Sequence, residues 1–220
     1  MKRNNIDKTK ASKAASIFPS KPAANHAKKQ PEKMKKIFLG LNRQELMFLF
    51  TLYSSLHLIT KHIHELPELE FYPAISEYKS IENWKTFYLF YLTQHSDVTC
   101  RRLHIIGTTL SLVLIFSDFT LILAAIPAVQ IAYIAMHCTK CLDNGLIEMA
   151  LFFLTFLGVS KYLKGSITRP LLALVVGYAF AWIGHFFFEL NKPATFVYPI
   201  YSFAGDLRLW YETVIGKHTF

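Results

Sequence analysis

An all-α, polytopic integral membrane bundle, with about four transmembrane helices and further interfacial helices, is the fold this 220-residue sequence predicts. Three observations lead there. Hydrophobic residues make up 52 % and aromatic residues 15 % of the chain, more than one soluble core requires. The apolar residues fall into long runs rather than strand-like alternation. Those runs are almost free of charge: Ile105 to Met136 contains only Asp118, and Leu171 to Phe188 contains no Asp, Glu, Lys or Arg.

The net charge of +9 is confined to one end. Residues 1–36 hold eleven Lys/Arg against two acids, and the remainder holds thirteen of each sign. A basic tail on a neutral body gives no footprint for nucleic acid. The tail, rich in Lys, Ala, Ser, Pro and Asn, cannot bury enough apolar surface to order itself, and we read 1–36 as a disordered segment near anionic headgroups. It has no continuous apolar core of the kind a secretory leader carries. Cys100, Cys138 and Cys141 make no disulfide framework. The lone Cys138–Cys141 CxxC lacks the second ligand pair of a zinc site, so all three are read as small, partly buried thiols.

Residues 37–80 are expected to form an interfacial or amphipathic helical region, and 81–220 a membrane-embedded domain. Ser80 can cap a helix from Ile81 to about Gln94, after which polar Thr93–Thr99 breaks the chain. Ser96 or Asp97 then caps the next helix. A bilayer core takes roughly 20 helical residues, so Ile105–Met136 is too long for one span and divides at Ser117–Asp118. Leu146–Leu163 and Leu171–Phe188 supply two more spans, the last ended by Pro193. Thr195–Phe220 is expected at the surface. By the positive-inside rule the tail, Arg101 and Arg102 favour a cytoplasmic N-terminus, while Lys161, Lys164 and Arg169 pull the other way.

Four crossings bring the start of the first span and the end of the fourth to one membrane side. His95, His104, His137 and His185 all fall there. His95 and His104 are nine residues apart, which is ~2.5 turns of helix, so they converge only if the chain bends at Ser96–Asp97. His185 and Glu189, four apart, can share a helical face. Ionisable groups at a bilayer edge face a protein interior or a cavity. Imidazole with carboxylate suits iron, zinc, copper or nickel, and two histidines with one carboxylate suit a non-haem iron. The plain alternative is a set of histidines that serve structure.

Phe87–His95 followed by Cys100–Thr108, and later Gly177–Glu189 with Asn191–Phe196, Tyr198-Pro199 and Gly205-Asp206, resemble the two signatures of a family of small membrane proteins. The fungal member is a 2-hydroxy fatty acid dioxygenase of the endoplasmic reticulum. The resemblance implies an Fe(II) cofactor held by His95, His104 and His185. Glu189 would be a ligand, an orienting partner or a base, and Asp206 a cap or support; His137 rests on topology alone. It further implies O2 and a long-chain 2-hydroxy fatty acid as substrates, shortened by one carbon in α-oxidation, with Arg101, Arg102 or Lys192 holding the carboxylate. The expected membrane is the endoplasmic reticulum in a eukaryote and the inner membrane in a bacterium. A non-catalytic scaffold or lipid-binding protein is the alternative, and a zinc-dependent lipid hydrolase a weaker one.

Overall fold

The computed structural model describes residues 40–63, 75–81 and 83–218. The basic tail, His64 and the acidic, proline-containing stretch up to Pro73 lie outside them. The described residues form seven α-helices: α1 (Arg43–His62), α2 (Trp84–Thr93), α3 (Val98–Phe116), α4 (Phe119–Cys138), α5 (Leu146–Lys164), α6 (Thr168–Ile183) and α7 (Pro199–Val214). Short 3₁₀ turns lie at Glu77–Lys79 and Ala194–Phe196, and a π-helical turn at Gly184–Glu189 extends α6.

The helix ends follow local capping chemistry. Asn42 and Glu45 form a reciprocal capping box at the start of α1. Asn83, not the anticipated Ser80, caps α2 by accepting from Thr86 N. Its amide oxygen sits three residues before the donor, whereas Ser80 closes the preceding 3₁₀ turn. Asp97 accepts from Cys100 N and starts α3, and Asp118 accepts from Thr120 N in the tight turn into α4.

Four helices, α3, α4, α5 and α6 with its π turn, are long and apolar enough to cross a bilayer. Helix α4 is the central one, 44 % buried against 17 % for α3. It packs mainly on α5 and α1, while α3 lies along α6. Apolar side chains such as Leu154, Phe187 and Leu190 stay more than two-thirds exposed. An exterior of that kind belongs in lipid rather than water. The α3–α6 seam is close because it is made of small residues: a Cβ on Gly107 would stand 2.7 Å from the Phe180 Cβ.

Two polar devices hold the periphery. Pro127 lies inside α4 and cannot donate to the carbonyl four residues back. That carbonyl, Leu123, instead accepts from the Tyr53 hydroxyl of α1. Below α2, Lys79 and Glu148, almost wholly buried, meet at 2.6 Å. Thr139 joins them through its carbonyl and hydroxyl, which fastens the 3₁₀ turn to the α4–α5 corner. The anticipated surface segment near the C-terminus is α7, and it buries Ile200, Ser202, Gly205, Leu209 and Glu212 along one face.

Tyr53→Phe should cost about 1 kcal/mol, read as a lower melting temperature in detergent. In a Pro127→Ala background the same change should cost little, because a backbone N–H then reaches Leu123.

Candidate metal centre

Three chain segments bring His95, His104 and His185 together. His95 follows the end of α2, His104 sits in the second turn of α3, and His185 is the second residue of the π turn that extends α6. Their ring centres are 4.5, 4.7 and 5.0 Å apart and their planes stand at 69–88° to one another. All three are at most 5 % exposed. The bend foreseen at Ser96–Asp97 is present, and it is what lets His95 reach the face of α3 that carries His104.

Each ring is oriented by a bond at Nδ1. His95 Nδ1 lies 2.7 Å from the Tyr91 carbonyl, one of the α2 carbonyls near the helix end. His104 Nδ1 lies 2.7 Å from Asp206 Oδ1 of α7. His185 Nδ1 lies 2.7 Å from Asn191 Oδ1, and the Asn191 amide is held in that sense by donating Nδ2 to the Gln94 carbonyl. All three partners are acceptors, so Nδ1 carries a proton in each ring, and in the neutral imidazole Nε2 keeps its lone pair. The Nε2 atoms of His95 and His104 are buried with no hydrogen-bond partner.

Electrostatics reinforce this state. Burial, and then the neighbouring His104, pushes His95 down to about 3, so its imidazole is neutral at physiological pH. Burial pulls the Asp206 carboxyl upward. The His104 ring and the hydrogen bonds from His104 and Tyr91 outweigh that and hold it below the usual carboxylate range. Burial and Asp206 together raise the Tyr91 hydroxyl well above 10, so it remains a donor to Asp206. The Tyr91 ring also stacks on His95 at 4.0 Å.

These residues fit a transition-metal ion. Buried imidazole lone pairs without a donor are costly to leave unmet. An ion ~2.1 Å from each Nε2 would hold ring centres about 4.6–5.3 Å apart for bond angles between right-angled and tetrahedral, close to the spacing observed. Cys100 completes a group whose ligand atoms all lie within 4.8 Å of one another. Sequence reasoning left it as a plain thiol, although its place four residues before His104 on one helix was a usable signal. Gly184 makes room for it: a Cβ there would stand 2.9 Å from Cys100 Sγ and 3.3 Å from its Cα.

The other expected residues lie elsewhere. His137 stays outside the group, with Nδ1 3.0 Å from the Tyr133 carbonyl of its own helix, beside a small separate pocket lined by Lys79 and Tyr201. Glu189 is outside it as well. Its oxygens accept from Ser96 Oγ and Asp97 N, because the π turn's i→i+5 pattern breaks the i, i+4 register with His185. Arg101, Arg102 and Lys192 do not line the cavity that opens from the histidines; Arg102 and Lys192 are exposed. That cavity holds about 480 Å³ and runs between α3, α4, α5, α6 and α7.

Residues 81–218 match the family described as 2-hydroxy-palmitic acid dioxygenase Mpo1-like. The chain belongs to this family. No curated protein and no solved structure matches it. Both halves of the histidine cluster, with Asp206 and Asn191, lie within the Mpo1-like region, and so do all four candidate spans.

Asp206→Ala should weaken metal binding by about 10–100-fold, measured by competition with a chelator. His137→Ala should leave that affinity unchanged.

Proposed function

We propose that this Mpo1-like protein is an Fe(II)-dependent dioxygenase that shortens long-chain 2-hydroxy fatty acids by one carbon. The observation that carries the reading is the convergence of three imidazoles, each fixed with its Nε2 lone pair free, at the head of an apolar cavity. His95, His104 and His185 would hold the iron, with Cys100 beside them. A ferrous ion there supplies the redox reactivity toward O2 that no side chain has.

The chain's own groups account for the rest. Asp206 holds His104 in one tautomer and keeps its ring electron-rich, and Asn191 does the orienting for His185. The apolar walls take the alkyl chain and keep bulk water from the reacting carbon. Gln130 Oε1 and Ser202 Oγ are buried without partners and line the same cavity. They offer an acceptor and a donor to the hydroxy-acid head. Arg101, Arg102 and Lys192, outside the cavity, act by drawing the carboxylate toward the protein surface. Glu189 ties the loop before α3 to the π turn, so it supports the approach of the three rings. One 2-hydroxy acid and one O2 balance as the acid one carbon shorter, carbon dioxide and water.

Protein purified without chelators should contain stoichiometric iron and convert 2-hydroxypalmitate under air to the fifteen-carbon acid. His104→Ala and His185→Ala should lose both iron and product. A metal-free wild type would instead favour a scaffold with structural histidines, and bound zinc with no chain-shortened product would favour a hydrolase. Ser202→Ala should raise KM for the hydroxy acid while iron content stays unchanged, measured by steady-state kinetics beside metal analysis.

A further inference from the structure

The cavity below the histidines is a channel with a definite length. On α3 its lining runs from His104 through Thr108, Ser111 and Leu112 to Ile115 and Phe116, twelve residues or ~18 Å of helix. Small residues on the facing helices, among them Ala125, Ala173 and Gly177, keep it open.

The far end reaches the α3–α4 turn. Phe116 and Ile122 line it where α3 turns into α4. Just beyond, Asp118 caps α4 and faces Lys164 at 3.4 Å and Arg169 at 3.7 Å. A methyl terminus gains nothing by pushing into that polar turn, since it would have to desolvate the charged groups.

We propose that this channel measures the acyl chain, with Phe116 and Ile122 as its floor. The inference rests on the 2-hydroxy acid reading for the position of the head group. The tail then lies along α3, across the depth of the bilayer. Carbon–carbon bonds of ~1.5 Å advance an extended chain by ~1.25 Å per methylene, so the channel takes about fourteen carbons beyond the head. Acids of up to about sixteen carbons are accommodated whole, and longer ones meet the floor. Ala125 lies six residues into α4, ~9 Å above its start, so a large side chain there divides the channel near its middle.

The test is competition for the iron-loaded protein among 2-hydroxy acids of graded length at equal mole fraction, read by native mass spectrometry. Occupancy should fall about tenfold once the acid exceeds the channel, as over-packing would require. In Ala125→Phe the fall should come about seven carbons earlier, with iron content unchanged. In Phe116→Ala, which only removes bulk, it should move to longer chains. Occupancy independent of length, or a limit that neither variant moves, overturns the proposal. A length limit that shifts as stated without any turnover would sink the dioxygenase reading and leave the channel standing. Turnover with no length limit would do the reverse.

Discussion

Three imidazoles give their Nδ1 protons to three different oxygens, and that single arrangement organises the structure. It leaves lone pairs pointing inward where the protein provides no donor to meet them. Such a pocket is unfavourable in an empty protein and favourable around a cation. The acceptors come from unlike sources: an α2 carbonyl, a carboxylate on α7, and an amide in the loop after the π turn. Loss of the Asp206 or Asn191 side chain would remove the acceptor that fixes His104 or His185.

The helices around the site supply approach rather than chemistry. Glycines at 107 and 184 bring α3 against α6 and its π turn, and Gly205 brings α7 to within contact of the Tyr91 ring. Tyr91 makes three contacts here, with its carbonyl on His95, its ring stacked over that imidazole, and its hydroxyl on Asp206. Because Asp206 also accepts from His104, α2, α3 and α7 meet at this carboxylate. The rigidity needed to place three nitrogens around an ion comes from this shared polar chain, buried among aromatic rings.

Polar and apolar functions are sorted along the bilayer normal. The histidines, their acceptors and the unpartnered Gln130 and Ser202 atoms belong to the upper cavity, and the lower channel is walled by hydrocarbon down to the Ser117–Asp118 turn. A substrate with a polar head and a long tail is complementary to that gradient.

Much of this was legible in the residues themselves. Span lengths, the turn at Ser117–Asp118, a cap at Ser96 or Asp97 and the gathering of His95, His104 and His185 on one side follow from hydrophobic run length and local capping, which depend on near neighbours in sequence. What the sequence could not decide were contacts made by particular side-chain directions. His137 shares the side but turns to its own helix; Glu189 shares the motif but is carried round by the π turn to Ser96 and Asp97. Asp206 joins the histidines only because α7 folds against them. Hydrophobic patterning determines which helices form and roughly at what depth each residue sits. The rotation of each helix about its axis, and so which donors share a centre, is decided by packing.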